Sequence, residues 1–96
     1  MKTIYRYPVS IGTNEIITYK NYQVLSAKID PRENLSIWVL VDTAEEKTET
    51  LNVFVAGTGW DFPNMNTPVF VDTVRDGNYM WHVFYEGNNE NIDENS

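Results

Sequence analysis

The fold is decided by one stretch near the C-terminus, Val69-Phe70-Val71-Asp72-Thr73-Val74-Arg75-Asp76-Gly77-Asn78-Tyr79-Met80-Trp81-His82-Val83-Phe84-Tyr85. β-Branched and aromatic residues dominate both halves, and such residues fit a pleated sheet better than a helix. The Asp76-Gly77 dipeptide between the halves is a strong signal for a hairpin turn. We therefore predict two antiparallel strands, Val69 to Val74 and Asn78 to Tyr85, joined by Arg75-Asp76-Gly77.

The rest of the chain consists of short alternating or apolar runs separated by turn residues. The predicted strands are Thr3 to Val9, Glu15 to Lys20, Tyr22 to Ile29, Leu35 to Asp42 and Leu51 to Ala56, with turns at Ile11-Gly12-Thr13-Asn14 and Asp30-Pro31-Arg32-Glu33-Asn34. Leu35 to Asp42 is nearly all apolar, which predicts a central strand covered on both faces. About seven strands in a single domain, residues 1–86, predict an all-β fold, either a small antiparallel sandwich or a partly open barrel.

The charge of the chain is unevenly distributed. There are 14 acidic and 7 basic residues, and the last ten residues, 87–96, are acidic and polar with no base. We expect this tail to be disordered when it has no partner, because it is too polar to bury. The remaining domain is only mildly acidic, which disfavours a duplex nucleic acid partner but leaves room for a small anionic ligand.

Targeting signals and cysteines are both lacking in the 96 residues. The N-terminal stretch has no apolar core of a signal peptide, and no apolar run approaches the roughly 18 residues of a membrane helix. Without cysteine the chain can form neither a disulfide framework nor a thiolate metal site. We expect a soluble cytoplasmic protein with no membrane partner.

The residues offer little for catalysis. His82 is the one histidine, and no nucleophile, zinc or phosphate-loop motif is present. Alternation places His82 on the same strand face as Met80, Phe84 and Glu86, where a structural role, a partner contact or a ligand hydrogen bond are all open. The sequence predicts no catalytic residue, no metal site, no cofactor and no enzymatic activity.

The three tryptophans have different predicted environments. Trp38 lies in the apolar run from Ile37 to Val41 and is expected in the core, and Trp81 is expected there because it alternates with Tyr79, Val83 and Tyr85. Trp60 lies in a loop after two glycines. For this residue a stacking or interface role and simple packing of the loop onto the sheet both remain open.

The loop Gly57-Thr58-Gly59-Trp60 is the strongest candidate for a ligand site. Two glycines around a threonine leave exposed backbone that can adopt positive φ and bring N–H groups close to an anion. A lone Gly-x-Gly is a weak signal, however, and is common without function. From the residues alone the chain is a small β domain that suits binding better than catalysis.

Four segments of the chain together resemble a family of small phage-encoded proteins, which we connect with viral sponge proteins of the anti-CBASS type. These sponges bind cyclic nucleotide immune signals and keep them from host effectors. The resemblance spans residues 1 to 86 and rests on Met1-Lys2-Thr3-Ile4-Tyr5-Arg6-Tyr7-Pro8, Ile37-Trp38-Val39-Leu40-Val41-Asp42, Phe54-Val55-Ala56-Gly57-Thr58-Gly59 and Trp81-His82-Val83-Phe84. Many relatives have histidine after the second loop glycine, where this chain has Trp60.

The resemblance implies a phage protein that acts in the cytoplasm of the infected bacterial host, binds a cyclic nucleotide without degrading it and forms a homo-oligomer. The candidate ligand-binding residues follow from that expectation. Phosphate would be bound by backbone N–H groups of the loop and the Thr58 hydroxyl, helped by Arg6 or Arg75, and a base would stack on Trp60 or Tyr5. The full candidate set is Gly57, Thr58, Gly59, Trp60, Arg6, Tyr5, Arg75 and His82.

Two other functional classes stay open. The acidic tail and the net charge of −7 would suit a protein-binding inhibitor or an acidic decoy of a host defence or nucleic-acid enzyme. Small size and β content would also suit a minor phage structural protein. An enzyme that degrades the signal is the least supported class, because the chain has one histidine and no cluster of metal-ligating residues.

Overall fold

The computed structural model describes residues 1–87, and within that range it contains seven strands and no helix. The strands are β1 (Lys2–Pro8), β2 (Gly12–Thr18), β3 (Gln23–Ile29), β4 (Leu35–Asp42), β5 (Glu49–Gly57), β6 (Pro68–Asp76) and β7 (Tyr79–Glu86). The all-β prediction with about seven strands is therefore confirmed. Apart from Gly87, the predicted acidic tail lies outside the described residues. Residues 1–87 include no helix with the length and apolar character needed to cross a membrane.

The strands form two antiparallel sheets. One has three strands in the order β1-β4-β3, and the other has four in the order β2-β5-β7-β6. The predicted hairpin is present as β6 and β7, with Asp76 opposite Tyr79 and Gly77 at a φ of 62°, which the tight turn requires. The fold is thus a small β-sandwich.

The core lies between the sheets and is built from alternate residues of the central strands. Side chains of a strand point to opposite faces in turn, so every second residue of β4, β5 and β7 reaches the interior. The largest fully buried aliphatic residues are Ile37, Val39, Val41, Leu51, Val53, Val55 and Val83. β4 and β5 consequently fix the separation of the sheets, and the loops after them lie at the ends of the sandwich.

The predicted turn over Ile11-Gly12-Thr13-Asn14 is wrong, because β2 begins at Gly12 and pairs with β5 from Val55 onward. The turn lies just before it. The side-chain oxygen of Asn14 accepts from the amide of Ser10, and its Nδ2 donates to the carbonyl of Ser10, both over 2.8 Å. The polar residue at Asn14 therefore closes the preceding turn from within a strand.

The prediction that Trp38 belongs to the core is also wrong. Ile37 and Val39 point inward and are fully buried, so alternation places Trp38 on the outer face of the three-stranded sheet, where it is half-buried. In residues 1–87, β4 is covered by the second sheet on one face alone, although it is the central strand of its own sheet as predicted. Ile4 and Leu25 are exposed and share with Trp38 the lining of a shallow groove on that outer face.

Candidate functional site

The segment Gly57 to Trp60 forms a tight turn at the end of β5. The amide of Trp60 donates to the carbonyl of Gly57 over 3.2 Å, and Gly59, the third residue of the turn, has a φ of 87°. That pattern is typical of a type II turn, in which the third position requires glycine or asparagine. The turn brings the Trp60 side chain back toward the end of the sandwich.

Three aromatic residues meet at this end. Trp81, at the start of β7, is 8% exposed and belongs to the core as predicted. The Trp60 ring contacts it edge-on, with centroids 5.6 Å apart, and the Tyr79 ring stacks on it at 5.7 Å with an interplanar angle of 17°. Trp60 is 52% exposed and Tyr79 is 65% exposed. Two exposed rings therefore flank one buried ring.

A cavity of about 320 Å³ opens between these rings, and all the residues that line it are uncharged. It is located where β7 extends beyond its partner strand β5. The β5–β7 ladder stops at Gly57 opposite Trp81, whereas β7 itself begins at Tyr79. The lining residues are Gly57, Thr58, Trp60, Asn78, Tyr79, Met80 and Trp81. Its volume is at the lower end of the range for small-molecule sites, and its rings are suited to a flat ligand.

His82 connects the turn to the neighbouring strand. Its Nε2 lies 2.7 Å from the Thr58 hydroxyl and its Nδ1 lies 3.1 Å from the Thr73 hydroxyl. Thr73 is the residue opposite His82 on β6, and Thr58 is the second residue of the turn. The imidazole lies on the outer face of the four-stranded sheet, together with Met80 and Phe84 as alternation predicts, and its Nε2 contacts Thr58 from that face.

Arg75 is the candidate cation that lies nearest to this site along the sheet. It is on β6 opposite Met80, which lines the cavity, and its Nε donates to the carbonyl of Gly77 over 3.0 Å. The guanidinium thus stiffens the hairpin while keeping further N–H groups for a ligand. The structure brings together six of the eight candidate residues: Gly57, Thr58, Gly59, Trp60, His82 and Arg75.

The other two candidates lie elsewhere. The Tyr5 ring faces the interior and contacts Tyr19, which follows the last residue of β2. Gly57 lies at the opposite end of β2, because the first residue of that strand, Gly12, pairs with Val55 of β5. A strand of seven residues spans about 20 Å, which separates Tyr5 from the turn. A hydrogen bond with Tyr19 raises the pKa of Tyr5. Arg6 is on the outer face of the three-stranded sheet in an ion pair with Asp30.

The long loop after Trp60 lies over the outer face of the four-stranded sheet. Phe62 contacts the rings of Phe54 at 5.6 Å and Phe84 at 4.9 Å, both edge-on. A second cavity of about 290 Å³ lies under the loop, next to Glu86, whose carboxylate accepts from Asn52 and from the amide of Asn66. These contacts fix the loop, and thereby the position of Trp60 at its start.

No set of three or more histidine, cysteine, aspartate or glutamate side chains in residues 1–87 is placed to hold a metal ion.

Sequence reasoning missed Tyr79 and Asn78 as site residues. Tyr79 alternates with Trp81, a pattern that by itself predicts the same inward face for both residues. Tyr79 is exposed because β7 extends past the last pair it makes with β5, and that difference in length depends on strand register. The one available signal was position, since both residues directly follow the Asp76-Gly77 turn and therefore lie at a strand end.

Comparison with known proteins gives one family match. Residues 1–93 match the model of a family described as a domain of unknown function (DUF7352). The match extends past Glu86 into the acidic tail, which the four segments quoted above do not reach. No curated protein and no solved structure matches the chain.

Proposed function

The chain belongs to the DUF7352 family, whose description names no activity, and we propose from its end cavity that it binds a nucleotide signal and sequesters it unchanged. In its specific form the proposal is a phage counter-defence protein. It would act in the cytoplasm of the infected bacterium on a cyclic nucleotide immune signal, such as a cyclic dinucleotide. The phage origin and the class of signal rest on the sequence resemblance alone.

The observation that carries the proposal is the pair of exposed rings, Trp60 and Tyr79, which both line the cavity and both contact Trp81. Compared with a buried ring, a half-exposed aromatic ring makes fewer apolar contacts with the core and has a free face on which a ligand can stack. Stacking of a base on an aromatic side chain contributes about 1 to 3 kcal/mol. Two such rings would account for a large part of the affinity for a nucleotide.

The phosphate contacts would come from the turn and the hairpin. Thr58 carries a hydroxyl at the cavity, and Arg75 is one strand away across Met80. The lining itself is uncharged, so we propose that stacking contributes more than charge to the affinity. A cyclic dinucleotide has two bases and two phosphates related by a two-fold axis, which two copies of this site in a homo-oligomer would match.

Sequestration requires affinity for the ground state of the signal and no transition-state stabilisation. The two exposed rings and the backbone turn are groups that bind and do not react. The Thr58 hydroxyl and His82 are in hydrogen-bond contact, as in a nucleophile–base pair, but the group on the other side of the ring is the neutral hydroxyl of Thr73 and not a carboxylate. His82 is bound through both ring nitrogens to hydroxyl groups. We therefore propose a binding protein and not a signal-degrading enzyme.

The experiment is a retention assay with the full chain. The purified protein is incubated with a panel of cyclic dinucleotides, cyclic trinucleotides and cyclic ADP-ribose-type signals, separated from unbound ligand, heated, and the released material identified by mass spectrometry. Release of intact ligand supports sequestration, and release of an altered ligand would show an enzyme. Retention of nothing from the whole panel overturns the proposal.

Two variants connect the retained ligand to the cavity. Trp60→Ala and Tyr79→Ala each remove one exposed ring, and Phe70→Ala is the matched control because Phe70 is 56% exposed on the same sheet and does not line the cavity. Deletion of residues 87–96 separates this proposal from an acidic decoy, since a decoy would lose its activity and a cavity-based sponge would keep its ligand.

A further inference from the structure

We propose that His82 controls the anion affinity of the Thr58 hydroxyl: when Nε2 of His82 carries a proton, Thr58 is free to donate its own proton to a phosphate oxygen. This inference deepens the proposed function and rests on it for the identity of the natural ligand. It makes His82 a positioning residue, because the imidazole acts on the ligand through Thr58.

Each of the two threonine hydroxyls either donates a hydrogen bond to the imidazole or accepts one from it. A neutral imidazole has one donor nitrogen and one acceptor nitrogen, so one of the two threonine hydroxyls donates and the other accepts. The contact of 2.7 Å to Thr58 is the shorter of the two, and that to Thr73 is 3.1 Å. Both nitrogens are engaged, so a change of proton position on the ring must change what Thr58 does.

The two proton arrangements have opposite consequences for an anion. If Nε2 is unprotonated, Thr58 donates its single hydroxyl proton to the ring and has only lone pairs left for a ligand, which repel a phosphate oxygen. If Nε2 is protonated, the ring donates to Thr58, and the hydroxyl proton can turn toward the ligand. The doubly protonated ring also adds a positive charge beside a cavity whose lining has none.

The side chains around His82 are either uncharged or engaged with other partners. The ring therefore exchanges protons with solvent and shares hydrogen bonds with the two threonines. Ala56 is opposite on β5, and on β7 the neighbours on the same face are Met80 and Phe84, all uncharged. On β6, Asp72 is bound to Lys28 and Arg75 to the Gly77 carbonyl. Glu86 lies four residues along β7, bound to Asn52 and the Asn66 amide.

The coupling predicts that anion binding and proton uptake by His82 favour each other. A rising pH disfavours proton uptake, so we expect anion affinity to fall several-fold between about pH 6 and pH 8. Sulfate is a suitable probe because it remains a dianion across that range, unlike inorganic phosphate. A cyclic phosphodiester is also constant in charge there, so any ligand that the retention assay identifies serves as the second probe.

The test follows the ¹⁵N shifts of the His82 ring in the full chain by nuclear magnetic resonance, with and without sulfate, across that pH range. At a given pH we expect sulfate to increase the Nε2-protonated form in the wild type and in Thr58→Ser, which keeps the hydroxyl. We expect a clearly smaller increase in Thr58→Val, where only the charge of the ring still attracts the anion. Thr13→Val, a threonine on the same sheet face beside Phe54, is the control that keeps the response.

His82→Gln supplies a donor that does not titrate, so its sulfate affinity should stay constant across the pH range. The inference is overturned if sulfate leaves the His82 ring unchanged, if Thr58→Val responds like the wild type, or if His82→Gln keeps the pH dependence. These outcomes are independent of nucleotide retention. A retained nucleotide with an unresponsive His82 removes this inference alone, and a responsive His82 with no retained nucleotide removes the proposed ligand class alone.

Discussion

The indole of Trp60 lies against the backbone of Gly57. A Cβ atom placed on Gly57 would be 2.8 Å from Nε1 and 2.9 Å from Cε2 of that ring. Distances under 3.0 Å are essentially never seen for real Cβ atoms, so no side chain fits at Gly57 while the ring stays in place. The first glycine of the loop is therefore needed for the approach of a ring, whereas Gly59 is needed for its φ of 87°.

Gly57→Ala is expected to destabilise the protein by about 1 to 3 kcal/mol, the usual cost of overpacking. In a Trp60→Ala background the three atoms nearest to that Cβ, all from the Trp60 ring, are absent. The same substitution should then cost little, because alanine is otherwise preferred to glycine in a strand. Chemical denaturation of the four proteins in this double-mutant cycle measures the coupling. An equal cost of Gly57→Ala in both backgrounds would contradict the contact.

Loss of either exposed ring should weaken the binding of the retained nucleotide. Trp60→Ala and Tyr79→Ala each remove one stacking surface worth about 1 to 3 kcal/mol, which corresponds to a roughly 5- to 150-fold rise in Kd. Isothermal titration calorimetry measures the change, with Phe70→Ala expected to bind like the wild type. If the Phe70 variant loses as much affinity as the other two, the ligand lies on the outer sheet face instead.

Much of the fold is predictable because strand alternation and turn chemistry are local properties. The Asp76-Gly77 hairpin and the inward position of Trp81 both follow from nearest neighbours in the chain. Trp38 shows the limit of that reasoning. An apolar run predicts burial on both faces, but the described sandwich has two layers, and nothing local in the sequence says that β4 lacks a third layer.

The candidate site is less predictable because it depends on strand pairing. The loop from Gly57 to Trp60 is visible in the sequence, and so is His82, but their proximity follows from the pairing of β5 with β7. Chemistry alone groups Arg6 and Tyr5 with the loop, but the topology places β1 in the other sheet. The residue types in the sequence indicate which side chains can bind a ligand, whereas the strand pairing determines which of those side chains lie close together.

A hydrogen bond between Tyr7 and Thr18 joins the two sheets inside the sandwich. The hydroxyls are 3.0 Å apart, and Thr18 is fully buried. Tyr7→Phe deprives the Thr18 hydroxyl of this partner and should cost about 1 to 3 kcal/mol. Tyr7→Phe with Thr18→Val removes both polar groups and should recover most of that loss. Thermal or urea unfolding measures both, and Tyr79→Phe, at an exposed tyrosine, is the control expected to change stability little.

Asp30 organises the turn between β3 and β4. Its Oδ1 accepts from the amides of Asn34 and Arg32, at 2.9 and 2.8 Å. Its Oδ2 accepts from the Ser36 hydroxyl at 3.2 Å and is paired with Arg6. The hydrogen bond from the Asn34 amide is the main cause that lowers the pKa of Asp30, and the Arg32 amide, Ser36 and Arg6 act in the same direction.

The lowered pKa of Asp30 gives a pH dependence of stability with a definite sign. A carboxylate whose pKa is lower in the folded protein than in the unfolded chain stabilises the fold above the unfolded value, about 3.9, and the contribution is lost as pH falls through the folded value. We therefore expect Asp30→Asn to be less stable than the wild type at neutral pH, with the difference narrowing below about pH 4.

Urea unfolding at a series of pH values measures the difference. Asp61→Asn, at an exposed aspartate of the loop, should track the wild type throughout. A gap between Asp30→Asn and the wild type that stays constant from neutral to acidic pH would mean that the charge of Asp30 does not contribute, and that the loss comes from altered hydrogen-bond geometry in the turn.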